Sequence, residues 1–327
     1  MGKILVTGAG GFIGYNLCHL LGQEGKQIVG IDHKYPSDDY NGNIAGINLH
    51  VGDFRDLDLM QKLLIKVDLV IHLASAHLQI SLDHDQYWNI NVHSLQPFLE
   101  LCHSKGVKRF IHISSVGAYG NLANIPADEN TPCRPQSIYG ETKLAGEKVV
   151  LNFHEKTGFP IVVIRPAWVY GPYCPRTIKL YRTLRNKKFL MVGKGENLRH
   201  PVYVLDFFQA LKLAMQGEKA LGEILLIAGD RAITTKELIN SYAAVMGFPV
   251  PKIGIPYWSG LLLAKLVETL FGLISKEPPF SRRTLEFFDT DNAFNIDKAR
   301  QILGYKPKFS FEAGLADCRG WLEANAN

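Results

Sequence analysis

Short apolar runs recur at Ile4–Thr7, Gln27–Asp32, Asn48–Val51, Asp68–Leu73, Arg109–Ser114 and Ile161–Arg165, with helix-length segments between most of them. Alternation of this kind predicts a parallel sheet covered on both faces. Right-handed crossovers place every C-terminal strand end along one edge, where ligands bind in such sheets. Gly8, Asp32, Asp53, Ala74, Ser115 and Pro166 all fall at or just beyond these ends. From about Tyr170 the rhythm changes: Gly171, Pro172, Pro175, Gly193, Gly195 and Pro201 crowd the chain and elements shorten. The expected architecture is an α/β fold, a doubly wound parallel sheet over residues 1–170 with a smaller, substrate-binding lobe over 171–327. The two are expected to interleave. Ile224–Ala228 reads as a further sheet strand followed by a helix from about Thr235, so residues 224–247 return to the first unit.

The first strand runs directly into Gly8, Gly11 and Gly14 and then a helix. A chain that turns sharply, brings backbone close to phosphate oxygens and packs its helix on the sheet favours glycine at each such place. The free N–H groups of the helix then face the anion. The spacing is G-x-x-G-x-x-G, with Gly10 filling the intermediate position of the usual dinucleotide fingerprint. The second strand ends in Asp32, at about the distance where a carboxylate accepts hydrogen bonds from an adenosine ribose. A carboxylate there repels a 2′-phosphate, so a Rossmann-type site with NAD as cofactor is expected. An Asp after a strand also serves as a helix cap or turn former.

The 327 residues carry a formal net charge of +5, 46% hydrophobic and 20% charged residues, an ordinary globular composition. The charge is too diffuse to suggest nucleic acid. Locally, Arg176, Lys179, Arg182, Arg185, Lys187 and Lys188 form a run without an acid among them, either a solvated helix face or a contact for phosphate or an anionic surface. Five widely spaced cysteines without a C-x-x-C pair argue against disulfides or zinc and fit a reducing cytoplasm. The first strand begins by Lys3 or Ile4, leaving no room for a secretory leader. Tyr257–Ile274 is mostly apolar, but Lys265 and Glu268 interrupt it, so a membrane span is not expected. A buried or substrate-covering helix, or one lying on a membrane, remains open.

Ser137-Ile138-Tyr139-Gly140-Glu141-Thr142-Lys143 opens a helix and puts Tyr139 and Lys143 on one face. A nearby ammonium favours a phenolate, moving a tyrosine from its free pKa of about 10 toward working pH. Tyr139 is therefore the candidate acid and base, Lys143 its electrostatic partner, and Ser115, delivered by the strand that ends at Ser114, the candidate to position the reacting oxygen. A dinucleotide-sensing regulator would keep the glycine turn without needing these three together.

With these residues in place, the chain resembles the extended short-chain dehydrogenase/reductase superfamily over essentially its whole length. The matching segments are Thr7–Gly14, Gly52–Asp56, His72–Ser75, Asn91, Ser114-Ser115 with Tyr119-Gly120, Tyr139 to Lys143, and Arg165-Pro166 leading to Tyr170-Gly171-Pro172. The resemblance implies a cofactor set of Gly8, Gly11, Phe12, Ile13, Gly14, Asp32, Leu73, Ala74, Ser75, Asn91, Ser114, Pro166 and Val169, with Asp53 and Phe54 meeting adenine and Tyr139 and Lys143 at the nicotinamide ribose. It also implies a homodimer built from helices around 85–103 and 139–156.

Nucleotide-sugar epimerases and dehydratases place Asn three residues before the Gly-Pro of Tyr-Gly-Pro; this chain has Trp168. Where they favour an Arg-Asp-Phe/Tyr-Ile-His type segment, it reads Arg199-His200-Pro201-Val202-Tyr203-Val204. Pro278–Arg283, Asn295–Arg300 and Leu303–Pro307 instead look like the 3β-hydroxysteroid dehydrogenase branch. Trp168, Arg199 and Tyr203 are the substrate candidates, for an apolar alcohol or ketone or, alternatively, a nucleotide sugar. His72, His77 and His84 cluster in sequence, but coincidence is the preferred reading and no metal is expected.

Overall fold

The computed structural model describes residues 2–35, 46–77, 82–251, 254–272 and 282–326. The segment Pro278–Ser281, part of the resemblance above, lies outside them, as do the last two residues of the apolar stretch Tyr257–Ile274. The strands are β1 (Lys3–Thr7), β2 (Ile28–Asp32), β3 (Ile47–Val51), β4 (Val67–His72), β5 (Arg109–Ile113), β6 (Ile161–Pro166), β7 (Trp168–Tyr170), β8 (Met191–Val192), β9 (Leu198–Arg199), β10 (Pro201–Tyr203), β11 (Ile224–Ile227), β12 (Ile233–Thr234) and β13 (Gly254–Ile255). The α-helices are α1 (Phe12–Gln23), α2 (Leu57–Leu63), α3 (His84–Trp88), α4 (Leu95–Ser104), α5 (Ile138–Thr157), α6 (Pro175–Arg185), α7 (Val204–Ala214), α8 (Thr235–Met246), α9 (Tyr257–Gly272), α10 (Arg282–Asp289), α11 (Asp297–Leu303) and α12 (Phe311–Asn325).

Seven parallel strands form the main sheet in the order β11-β6-β5-β4-β1-β2-β3. The order reverses direction beside β1, and this switch point opens a crevice at the strand ends. Alternate strand residues feed two cores, as the two-residue period of a strand requires. Ile4, Val6, Ile71, Ile111 and Ile164 pack on one face with Leu17 and Leu21 of α1; Leu5, Val70, Phe110 and Val163 pack on the other with Phe98 and Leu99 of α4. Every residue of β5 and β6 is buried, the signature of strands covered on both sides.

β11 lies beside β6, with Ile224 opposite Val163, so the chain returns to the sheet after entering the smaller lobe. α8 begins at a capping box in which Thr234 and Glu237 exchange hydrogen bonds and ends at Gly247 in the left-handed region. The smaller lobe is held by short strand pairs, β7 with β10, β9 with β12 and β8 with β13.

Candidate active site

The turn after β1 is closed by its own backbone. Gly8 has φ +73°, and a Cβ there would stand 2.7 Å from the Ala74 nitrogen. A Cβ on Gly14 would stand 2.1 Å from the Gly8 carbonyl oxygen, so α1 rests directly on the turn. At Gly11, by contrast, the nearest atom to a Cβ is 3.4 Å away. Gly11 caps α1 without a side-chain hydrogen bond, and its side of the turn is the open one. Such a cradle, tight toward the protein and open at the helix start, fits the pyrophosphate of a dinucleotide. Phe12 and Ile13, half-buried, begin α1 and pack toward the core.

Asp32 accepts a hydrogen bond from the Gly10 nitrogen at 2.9 Å, so the carboxylate expected at the ribose also holds the turn. Asp53 is gripped by Arg55, whose Nε lies 3.0 and 2.9 Å from its two oxygens, and His33 Nε2 is 3.9 Å away. Burial pushes the Asp53 carboxyl up, but the Arg55 hydrogen bonds and charge outweigh it and hold it below the usual range. Phe54, expected with Asp53 at adenine, turns its ring inward. It is buried against His72 at 4.8 Å and Phe98 at 5.7 Å.

Leu73, Ala74 and Ser75 follow β4 along the crevice, with the Leu73 and Ala74 nitrogens bonded to the Thr7 carbonyl and hydroxyl. Asn91, 4% exposed, sits in a π-helical turn, Asn89–His93. Its Oδ1 accepts from Ser75 Oγ at 3.1 Å and the Ala76 nitrogen at 2.8 Å, while Nδ2 donates to Thr142 Oγ1 at 2.9 Å. The extra residue of the π turn thus aims one amide at both the crevice loop and α5, which fits the supporting role expected of Asn91.

Ser115 and Tyr139 meet because two glycines let their elements touch. Ser115 begins a 3-10 turn, Val116–Ala118, with its Oγ accepting from Gly117 N at 3.0 Å. α5 lies on that turn so closely that a Cβ on Gly140 would stand 2.3 Å from the Gly117 carbonyl oxygen. A Cβ on Gly117 would lie 3.3 Å from Ser115 Oγ and 3.4 Å from Tyr139 Cε1. The Ser115 hydroxyl and the Tyr139 ring therefore lie on the same side of Gly117, where a side chain of that residue would stand.

The electrostatics differ from the expectation. Burial raises the Tyr139 phenol above its ordinary value, and the nearby Ser115 hydroxyl and the Arg176 charge oppose it. Lys143 is not that counterweight: its Nζ donates to the Ile113 carbonyl at 2.6 Å. Burial lowers Lys143 to about 8, against the pull of Glu147. The side chain of Ser114, expected at the cofactor, is used within the protein. Its hydroxyl turns inward and donates to Glu147 Oε1 at 2.5 Å.

The substrate candidates separate. Trp168 is half-buried beside Tyr170 and Phe311, with ring centroids 6.3 and 6.5 Å away. Its indole nitrogen is buried and has no partner among the described residues. Arg199 is 7% exposed; its guanidinium donates to the Phe287 carbonyl and, at 3.3 Å, to Thr290 Oγ1, and lies over the Phe287 ring. Tyr203 is 2% exposed and donates to Asp317 of α12. Arg199 and Tyr203 thus engage partners within the lobe, at the end of α10 and on α12. Pro166 and Val169 are buried at the ends of β6 and in β7.

His77 was legible in sequence only as one of three nearby histidines, yet its ring stands edge-on to Tyr139 with centroids 4.7 Å apart. His72 is buried with Nδ1 2.8 Å from Thr7 Oγ1, and His84 begins α3. Arg176 at the start of α6 and the buried Glu147 were also missed as members of the site. Glu147 stands on α5 four residues after Lys143, a spacing the sequence does carry, whereas no local spacing brings Arg176 toward Tyr139.

Comparison with known proteins agrees with this geometry. The chain is 27% identical over 326 residues to the 2-alkyl-3-oxoalkanoate reductase of Stenotrophomonas maltophilia (strain K279a), covering 96% of this chain and 97% of that protein. It is 26% identical over 344 residues to the dTDP-glucose 4,6-dehydratase of Streptomyces niveus, covering 99% and 93%. The solved UDP-glucuronic acid 4-epimerase from Bacillus cereus in complex with NAD superposes with a TM-score of 0.80 at 28% identity, covering 99% of this chain and 100% of that one. The model of the NAD dependent epimerase/dehydratase family matches residues 4–228, from the first strand of the glycine turn to the end of the returning strand, and the chain belongs to that family.

Proposed function

We propose that this protein is an NAD-dependent oxidoreductase that interconverts a secondary alcohol and a ketone on a substrate with an apolar body. One observation carries the substrate class: Arg199, the cation expected at a substrate diphosphate, is buried with its donors on Phe287 and Thr290. Trp168 occupies the place where an Asn would hold such a diphosphate, and an indole suits an apolar group. Similarity to a reductase of 2-alkyl-3-oxoalkanoates supports the same reading. The proposed subgroup is 3β-hydroxysteroid-dehydrogenase-like, resting on Asn295–Arg300 and Leu303–Pro307. The proposed assembly is a homodimer through α4 and α5.

In this reading the Tyr139 phenol takes the proton of the alcohol, or returns it to the ketone, and Ser115 orients the reacting oxygen. Lys143 fixes the end of β5 through Ile113 and, in this reading, would also hold the cofactor ribose. Bound NAD supplies the two-electron acceptor or donor for the carbinol carbon. A second reading, a nucleotide-sugar epimerase or dehydratase, is favoured by the acid-free basic run of α6 and by the dehydratase and UDP-glucuronic acid epimerase relatives.

Absorbance at 340 nm, with NAD and a panel of 3β-hydroxysterols, hydroxyacyl compounds and nucleotide sugars, separates the two. Net NADH with an apolar alcohol, lost in Tyr139→Phe, supports the proposal; conversion of a nucleotide sugar without net NADH replaces it with the second reading.

A further inference from the structure

Helix α9 is built inside out. It packs on the lobe through its small residues: Ala264 is 0% exposed and joins Val192 and Leu285 in a small core, and a Cβ on Gly260 would stand 2.8 Å from Val192 and 3.2 Å from Leu285. Its large side chains face outward, with Trp258 65% exposed, Leu261 40%, Leu262 62% and Leu266 57%. Positions 258, 261, 262 and 266 are spaced i, i+3, i+4 and i+8, so they form one stripe along the helix. A helix that served only the core would turn this stripe inward. Contiguous exposed apolar surface of this kind marks a contact.

The charges around the stripe indicate what it contacts. Lys265 is exposed within the stripe itself, while Glu268 is on the half-buried side. β13, which leads into α9, pairs with β8, and Gly193 N donates to the Ile255 carbonyl at 2.9 Å. This pairing brings exposed Lys194 beside the start of the helix. From Lys156 to Gly195 the chain contains no Asp or Glu, and exposed Glu196 follows. Leucines and a tryptophan bordered by lysines match a bilayer surface with anionic headgroups, the tryptophan at headgroup level and the leucines in the acyl boundary. A second copy would set the same lysines against one another. Among the described residues no helix is long and apolar enough to cross a membrane, so the contact is peripheral.

We propose that the outer face of α9, with Lys265 within it and Lys194 beside its start, docks this protein on the surface of an anionic lipid membrane. The proposal stands whichever substrate is turned over. A cleft loaded from a bilayer would receive lipid-borne substrates at high local concentration.

The full chain is to be floated with vesicles of phosphatidylcholine alone and of phosphatidylcholine with about 30 mol% phosphatidylglycerol. Co-flotation with the anionic vesicles, at least about tenfold above the neutral ones and lost in high salt, is the expected result. The double variant Leu262→Glu and Leu266→Glu should lose at least about tenfold of that partitioning. Both positions are exposed, and an unchanged thermal melt and NAD-induced shift establish that the variant folds. A blue shift of tryptophan emission on vesicles, absent in Trp258→Phe, places the helix at the lipid. No partitioning, or equal partitioning of the double variant, overturns the proposal. So does a wild-type oligomer that the double variant dissociates in sedimentation velocity, since the face is then covered by a second copy.

Discussion

Arg165 of β6 holds both carboxylate oxygens of Glu147 on α5, with Nε 2.8 Å from Oε1 and Nη2 2.6 Å from Oε2, and both side chains are almost completely buried. The third arm of the guanidinium, Nη1, donates to Tyr119 at 2.8 Å, and Tyr119 in turn donates to the Asp128 carbonyl at 2.8 Å. Ser114 bonds the same Glu147 oxygen as Arg165 Nε. One ion pair therefore ties α5, the ends of β5 and β6 and the loop near Asp128 into a unit directly behind Ser115 and Tyr139. Glu147 is also the charge that opposes the burial-driven fall of Lys143.

Replacing Glu147 by Gln leaves Arg165 buried without a counter-charge, which costs roughly 3–5 kcal/mol when one partner of such a pair is removed. A urea unfolding midpoint should fall accordingly. Lys143 should also lose its proton at lower pH than about 8, moving the alkaline limb of the rate profile downward. The double change Glu147→Leu with Arg165→Met should recover much of the stability. An unaltered midpoint in Glu147→Gln would contradict the pairing.

His112 and His72 stack 5.7 Å apart in the sheet, and burial lowers both, His72 to about 3 and His112 well below its ordinary value. Above pH 6.5 both states of the chain keep these rings neutral, so they add no pH dependence. As pH falls below 6.5 the unfolded chain takes up protons that the folded one refuses, and stability drops until pH reaches the folded pKa, about 3 for His72. Each ring contributes a slope of up to about 1.4 kcal/mol per pH unit in that window. Neither ring nitrogen of His112 has a hydrogen-bond partner among the described residues. His112→Phe should therefore hold or raise stability at pH 7 by about 1 kcal/mol and make the acid limb shallower. A loss of stability at pH 7 in chemical denaturation would show that the imidazole is satisfied after all.

Features set by local spacing were legible in the sequence: the glycine turn, Tyr139 and Lys143 on one helix face, and Ser115 at a strand end. Strands were legible to within a residue or two, as Asp68–Leu73 against the observed Val67–His72 shows. What could not be read was where long side chains end. Arg199, Tyr203 and Phe54 stand at positions that face a ligand by pattern, yet partners on α10, α12 and α4 draw each into the interior. The apolar content of α9 was legible, but not which face the lobe would accept, because that depends on Gly260 and Ala264 meeting Val192 and Leu285. His77 reaches Tyr139 through a loop whose course no periodicity encodes.

Gly14 and Gly11 should respond differently to a methyl group. Gly14→Ala forces a Cβ to within 2.1 Å of the Gly8 carbonyl oxygen, so the turn or α1 must shift, and a large fall in melting temperature is expected even without cofactor. Gly11→Ala meets nothing nearer than 3.4 Å and should melt close to the parent chain. Its methyl group projects on the open side of the turn, the side whose shape fits a pyrophosphate, so the NAD-induced thermal shift should shrink. Equal melting temperatures for the two variants would refute the packing argument.

Arg199 provides the sharpest separation of a structural from a substrate-binding role. Burial lowers its guanidinium to about 10, so it remains charged near neutrality, and its donors hold the segment between Phe287 and Thr290 against β9. Arg199→Met removes hydrogen bonds made by a charged donor and leaves the Phe287 carbonyl without this partner, at a cost of roughly 2–3 kcal/mol. The melting temperature should fall, while KM for the substrate, measured well below the new transition, should stay within about twofold, because a group turned into the lobe contributes no uniform binding. A residue that held a substrate diphosphate would behave in the opposite way, with little change in melting and a KM raised by an order of magnitude or more. The pair of measurements thus tests Arg199 and, through it, the choice between an apolar alcohol and a nucleotide sugar.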